Sequence, residues 1–201
     1  MVNFQELEYK YKADDIKFSA FEALMNTMKV KKRIDVSSWD YYFSPENRED
    51  FLRFRDSPFV PELTRKVKTS DGNNFKRVEV DLPLDRNKCS LDVVTKFMEV
   101  VGYSENFRIY KNCFIYWLDN VNYVYYTVFD KNLKEVGRFI EVEVNKERVN
   151  YLNSQENLFA GGISAESTLK DAARALECLG LTSQNRMKKS LFEIFNKGEL
   201  K

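Results

Sequence analysis

Two short stretches of this chain set acids where a cation could lie between them. Glu6-Leu7-Glu8-Tyr9-Lys10, continued by Tyr11 and Lys12, alternates strictly. On a strand, Glu6, Glu8, Lys10 and Lys12 then share one face, and Leu7, Tyr9 and Tyr11 the other. Residues two apart are separated by roughly 6.5–7 Å, from a rise of about 3.3 Å per residue. Two glutamates can thus converge on one hard cation, with a lysine one step further on to meet an anion. Glu141-Val142-Glu143 repeats the acid pair near the other end of the chain, with Ile140 and Val144 on the opposite face. Taken singly, either stretch is more simply a half-exposed strand with a solvated charged face.

The same alternation carries cations. In Phe51-Leu52-Arg53-Phe54-Arg55 both arginines lie opposite Leu52 and Phe54. Two further strands flank Ser70-Asp71-Gly72-Asn73, a strong hairpin signal. On the first, Glu62, Thr64, Lys66 and Lys68 oppose Leu63, Arg65 and Val67; on the second, Arg77, Glu79 and Asp81 oppose Val78, Val80 and Leu82, before Pro83 ends the ladder. In an open sheet these charged faces look at water. In a sheet that curls shut they line a lumen, and an empty lumen of that kind is costly. Like charges about 4 Å apart repel by ~4 kcal/mol at an effective dielectric near 20, and buried charges need partners. Divalent cations on the acids and a polyanion on the bases would compensate. Mg²⁺ or Mn²⁺ suits carboxylate and phosphate oxygens, and a polyphosphate suits arginine forks and lysine point charges. No glycine-rich phosphate loop occurs, so side chains must hold the phosphates.

The remaining elements position these faces. Asp14 and Asp15 are set to cap a helix with Phe21, Leu24, Met25 and Met28 as its apolar stripe, closed by the basic run Lys29–Arg33. The aromatic run Trp39–Phe43 precedes a turn at Ser44-Pro45-Glu46-Asn47. Ser90 caps a second helix, with Leu91, Val94, Met98 and Val101 inward and Gly102 at its end. From Phe107 to Asp130 two or three strands adjoin, with turns expected at Lys111-Asn112 and Asp119-Asn120; the last strand of the sheet runs from Val136 to Val144. Ser164 caps a helix carrying Leu169, Ala172, Ala173, Leu176 and Leu179, and a short amphipathic helix closes the chain around Lys188–Phe195.

The chain has 201 residues, with 43% apolar and 31% charged. That composition suits one globular domain spanning 1–201, and a chain of this size buries roughly 70% of its unfolded surface. Lys and Arg number 32 against 31 Asp and Glu. This balance argues against an extended nucleic-acid footprint or a membrane surface as partner. Three scattered cysteines without ligand spacing read as reduced thiols of a cytoplasmic protein. No signal peptide or membrane-spanning run stands out, and the lack of histidine excludes a His-based triad or a histidine zinc site.

Taken in order, the strands resemble the CYTH domain, the triphosphate tunnel metalloenzyme superfamily. That group includes class IV adenylyl cyclases, thiamine and inorganic triphosphatases and RNA triphosphatases. Glu6-Leu7-Glu8-Tyr9-Lys10 is similar to its first-strand signature, Asp40-Tyr41-Tyr42-Phe43 to its Asp-Thr-Tyr-Phe segment, and Leu52-Arg53-Phe54-Arg55 to its Leu-Arg-x-Arg strand. Leu63–Lys66 resembles Leu-Thr-x-Lys, and Arg77–Asp81 resembles Arg-x-Glu-x-Glu with the last acid shortened. Leu118-Asp119 matches the Leu-Asp step, Gly137–Glu143 the Gly-x-Phe-x-Glu-x-Glu step, and Lys189–Phe195 the closing helix. One strand departs: the family's Lys-x-Arg is replaced by Asn106–Lys111, where Arg108 stands in for one base.

The resemblance implies an α+β fold, a closed or nearly closed antiparallel barrel with a charged lumen and helices packed outside. It implies Mg²⁺ or Mn²⁺ on Glu6, Glu8, Asp119, Glu141 and Glu143, and a triphosphate held by Lys10, Arg53, Arg55, Lys66, Lys68, Arg77 and Arg108. Lys10 and Glu79 are the implied catalytic groups, with Asp81 beside Glu79. Three functions stay open: a metal-dependent triphosphatase acting on an inorganic, nucleotide or thiamine triphosphate (a triphosphorylated RNA end included), a class IV type adenylyl cyclase, and a non-catalytic polyphosphate or nucleotide sensor. The expected partner is a small-molecule triphosphate, and the chain would act as a monomer or homodimer.

Overall fold

The computed structural model of the chain describes residues 5–46, 51–68, 76–145 and 164–196; at Gln5, Lys68, Lys76 and Arg77 the strand backbone alone is described. Among the described residues nine strands form one antiparallel sheet: β1 (Gln5–Lys12), β2 (Lys32–Pro45), β3 (Leu52–Asp56), β4 (Glu62–Lys68), β5 (Lys76–Pro83), β6 (Tyr103–Trp117), β7 (Val121–Phe129), β8 (Glu135–Val144) and β9 (Arg186–Met187). Their order is β5-β4-β3-β2-β6-β7-β8-β1-β9. The first half of β1 also pairs with β5, through Gln5↔Val78, Glu6↔Arg77 and Leu7↔Lys76, and this curls the sheet onto itself. Further along the same edge β1 takes β9 instead, at Lys10↔Met187 and Tyr11↔Arg186. The result is the nearly closed barrel anticipated above. The Ser70–Asn73 turn lies outside the described residues.

Helices α1 (Phe18–Asn26) and α3 (Ala165–Arg174) cover the outer face of β1, β8 and β7, and α2 (Leu91–Val100) covers that of β2 and β3. Alternation decides which side chain goes where. Leu7, Tyr9, Tyr11, Ile140, Val142, Tyr123 and Tyr125 pack outward against Phe21, Met25, Leu169 and Leu176. The intervening residues point into the barrel. Burying each of the larger apolar side chains contributes about 1.5–3 kcal/mol, so the parity of these strands is held from outside, whatever the charged face does.

Ser90 and Ser164 cap their helices as expected, accepting from the amides of Val93 and Ser167. Gly102 ends α2 at φ +84°, a left-handed position that favours glycine. Asp14 and Asp15 do not cap α1, which starts after Lys17 without a side-chain cap. Asp14 instead accepts the Arg138 amide at 2.9 Å and ties the end of β1 to β8. Packing of Phe21 and Met25, both fully buried, supports α1 in place of a cap.

The expected turn at Lys111-Asn112 does not form. β6 runs unbroken for 15 residues, paired with β2 on one side and β7 on the other across this point (Ser38↔Lys111↔Val128). Lys-Asn lacks the glycine that a tight hairpin needs, and both neighbours satisfy its backbone groups. At one end of the barrel, α4 (Leu191–Asn196) inserts Leu191, Phe192 and Ile194 among Tyr42, Ile109, Tyr126 and Phe139. No helix among the described residues is long and apolar enough to cross a membrane.

Candidate functional site

The inward side chains enclose a cavity of about 720 Å³. Among the described residues, seven carboxylates and five bases line it. Antiparallel register sets them in rows across the strands. Glu8 on β1 lies opposite Glu143 on β8, which lies opposite Asn122 on β7, which lies opposite Trp117 on β6. The next row is Lys10, Glu141, Val124 and Ile115.

Glu6, Glu8 and Glu143 each bring one carboxylate oxygen to within 4.8 Å of the other two. Burial, with Glu8 and Glu141 nearby, pushes the Glu143 carboxyl up to about 7, although the Asn122 amide donating at 2.9 Å favours its ionised form. Burial and the Glu8 charge likewise hold Glu6 well above the carboxylate range, opposed by Lys66. Crowded, partly desolvated oxygens of this kind are what a hard divalent cation relieves. The donor set therefore fits such an ion, and the surplus of acids over bases favours one.

The bases are already occupied by acids. Lys66 Nζ lies 2.8 and 3.0 Å from the two Glu6 oxygens and 3.3 Å from Glu79. Lys10 Nζ lies 2.9 Å from Glu141 and 3.7 Å from Glu8. Burial would raise Glu141, but Lys10, Lys111 and the Tyr126 hydroxyl donating at 2.8 Å hold it below its ordinary value. Arg55 forks onto Asp40 (Nε–Oδ1 2.7 Å, Nη2–Oδ2 2.9 Å), and Asp40 is fully buried, with Lys111 Nζ 3.7 Å away. Burial opposes ionisation of Asp40, yet Arg55 and Lys111 hold its carboxyl far below the usual range. Arg53 reaches Glu62 at 3.1 Å and donates at 2.8 Å to Thr64, which donates in turn to Asp81 at 2.9 Å. Its buried Nε has no hydrogen-bond partner.

Of the residues picked from the sequence, Glu6, Glu8, Lys10, Arg53, Arg55, Lys66, Glu79, Glu141 and Glu143 all line this cavity. Lys68 and Arg77 face each other in the β4–β5 backbone register, and their side chains lie outside the description. Two residues are elsewhere. Arg108 points outward from β6, over the Tyr41 ring and paired with Glu105 at 2.6 and 2.8 Å. The inward parity of β6 belongs to Ile109, Lys111 and Cys113, so Lys111, not Arg108, is the lumen base of this strand, and the next inward residue is Cys113. Asp119 sits in the β6–β7 turn with its side chain two-thirds exposed, ion-paired to Lys31. The sequence reading also missed Asn122 and the role of Asp40 as anchor for Arg55. Read as one continuous strand, Ile109-Tyr110-Lys111-Asn112-Cys113 puts Lys111 and Cys113 on the face opposite Arg108, without saying which face is the lumen.

The acid cluster gives the metal-free protein a characteristic pH response. Glu143 is raised from 4.5 to about 7 on folding, and Glu6 shifts in the same direction. An acid with a raised folded pKa keeps its proton in the native state after the unfolded chain has lost it. Stability is therefore lost as pH rises between 4.5 and about 7. In chelator, the melting temperature is expected to be lower at pH 8 than at pH 5.5, and the gap should narrow in Glu143→Gln. A melting temperature that is flat or rising across this interval would contradict the reading of the cluster.

No family model matches the chain, and no curated protein matches it. Solved structures do. A conserved hypothetical protein of Pyrococcus furiosus superposes with a TM-score of 0.67 at 22% identity, covering 94% of this chain and 98% of its own. A candidate adenylate cyclase of Vibrio parahaemolyticus gives 0.65 at 14% identity, covering 98% and 99%. The Pct1 RNA triphosphatase of S. pombe, in complex with the Spt5 CTD, gives 0.54 at 12% identity, covering 94% and 88%. At these identities the likeness is one of fold.

Proposed function

We propose that this chain, whose fold is that of the CYTH or triphosphate tunnel proteins, hydrolyses a triphosphate group with a divalent metal ion, Mg²⁺ or Mn²⁺. The observation that carries the reading is the convergence of Glu6, Glu8 and Glu143 in the same cavity as Lys10, Arg53, Arg55, Lys66 and Lys111. A sensor of polyphosphate needs the bases; it has little use for a buried carboxylate triad that is costly when empty. The fold resemblance to an RNA triphosphatase and a candidate adenylate cyclase supports triphosphate chemistry in general.

Glu6, Glu8 and Glu143 would hold the ion, with Glu141 on the same strand face as Glu143. When bound, the ion supplies charge neutralisation and polarisation at the reacting phosphoryl group. The residues of the chain do the rest. With Glu6 and Glu8 committed to an ion, Lys66 (beside Glu6) and Lys10 (beside Glu8 as well as Glu141) would be the bases available to turn to phosphate oxygens. Cation and polyphosphate are then positively linked, each raising the affinity for the other. Arg55 is pre-oriented by Asp40, and Arg53 by Thr64 and Glu62, so the N–H groups these partners do not use would meet phosphate with little loss of freedom. Glu79 lies 3.3 Å from Lys66 and 3.9 Å from Arg53 and sets both bases relative to the phosphates. Lys10 stabilises charge developing on the transferred group.

The cyclase reading ranks second, for a physical reason. Cyclisation requires the ribose hydroxyl aligned behind the α-phosphate, and such alignment is worth about 7–11 kcal/mol. The nucleotide must then be gripped along its whole length, and of the cavity-lining residues on β6 only Lys111 is a base. Purified protein is to be incubated with tripolyphosphate, ATP, thiamine triphosphate and triphosphorylated RNA, with Mg²⁺ and Mn²⁺, and the products resolved by chromatography. Orthophosphate is expected to exceed cyclic AMP by a wide margin. Cyclic AMP and pyrophosphate as main products would promote the cyclase, and tight binding without turnover would leave a sensor.

A further inference from the structure

Asn122 is out of character for its position. The other inward residues of β7 are Val124, Tyr126 and Val128, all apolar or aromatic, and asparagine is disfavoured in strand interiors. Yet Asn122 lies in the row of Glu8 and Glu143, lines the cavity and is only 6% exposed. Its Nδ2 donates to Glu143 at 2.9 Å, the one arrangement in which an ionised carboxylate accepts. That leaves Oδ1, which is shielded from solvent and has no hydrogen-bond partner. A buried carbonyl oxygen without a donor calls for an explanation, and beside three carboxylates that converge within 4.8 Å of one another a shared cation supplies one.

Resting on the metal reading above, we propose that Asn122 Oδ1 is a fourth oxygen ligand of the cation held by Glu6, Glu8 and Glu143, while its Nδ2 orients Glu143. One side chain would thus satisfy both halves of its amide at once. The neutral amide adds an oxygen without adding a fourth negative charge to a triad in which burial already disfavours ionised Glu6 and Glu143.

Mn²⁺ binding to the full chain separates a ligand from a residue that merely holds Glu143. Calorimetry gives affinity, and electron spin-echo spectroscopy in D₂O counts the exchangeable waters on the ion. Asn122→Ala is expected to weaken Mn²⁺ by at least about tenfold and to gain one bound water. Asn122→Asp keeps an oxygen but cannot donate, and is expected to bind at least as tightly as the unaltered protein at pH 8, with no extra water. An unchanged water count in Asn122→Ala, or binding by Asn122→Asp as weak as by Asn122→Ala, would overturn the assignment and leave only a positioning role. Should Asn122→Ala fail to fold, Asn122→Asp decides alone: affinity retained or raised supports the ligand, affinity lost refutes it. Failure of the unaltered protein to bind Mn²⁺ would refute the metal reading itself, and the ligand with it.

Discussion

Glu8→Gln and Glu143→Gln are each expected to lower metal-dependent turnover by at least about 100-fold, since even outer partners of metal ligands cost 10–100-fold when removed. Neither change should unfold the chain. Both side chains face the lumen, while the core that holds β1 and β8 lies on the outer face, at Leu7, Tyr9, Ile140 and Val142. Glutamine keeps the shape and the oxygen but removes charge from a crowded site. Above pH 7 the metal-free Glu143→Gln protein should melt higher than the unaltered chain, because burial disfavours the charged carboxylate there. Lower activity together with equal or raised metal-free stability is the signature of a functional carboxylate. Phosphate release at the unaltered rate from both variants in saturating Mn²⁺ would remove these residues from the metal site.

Asp40→Asn is expected to do the opposite, damaging the fold first. Asp40 is fully buried, takes both hydrogen bonds of the Arg55 fork and lies 3.7 Å from Lys111. Removing one partner of a buried pair typically costs about 3–5 kcal/mol, because the remaining charge is stranded. Against total stabilities of about 5–15 kcal/mol this is a large share. The stabilisation depends on ionised Asp40, whose folded pKa is depressed, so it is present above the unfolded value and lost as pH falls through the folded one. Denaturant melts at pH 7 measure the loss directly. A difference from the unaltered protein below about 1 kcal/mol would mean that water or Glu62 compensates, and that Asp40 is no anchor.

The acid pairs, the arginine strand and the charged faces of β4 and β5 were legible in the sequence. Each lies on a strand with one apolar and one charged face, and such a strand announces its own parity. Glu6, Glu8, Lys10, Arg53, Arg55, Lys66, Glu79, Glu141 and Glu143 could be grouped on that basis, and the serine caps of α2 and α3 are local chemistry of the same kind. β6 offers no such pattern. Phe114 and Tyr116 pack outward under α1 and Arg33, while Ile109 and Ile115 face inward, so both faces are covered and alternation disappears. Only pairing with β2 and β7 decides that Lys111 looks into the lumen and Arg108 out of it. Asp119 lies in the turn its Asp-Asn step announces, and only the tertiary structure shows it paired with Lys31 outside the lumen and Asn122 set against Glu143. Asp40 reads as one polar residue in an aromatic run, and its meaning depends on Arg55 being its cross-strand neighbour. On β1 and β8 a residue's face is thus settled locally, because the opposite side is buried, and on β6 by the neighbouring strands, because both sides are.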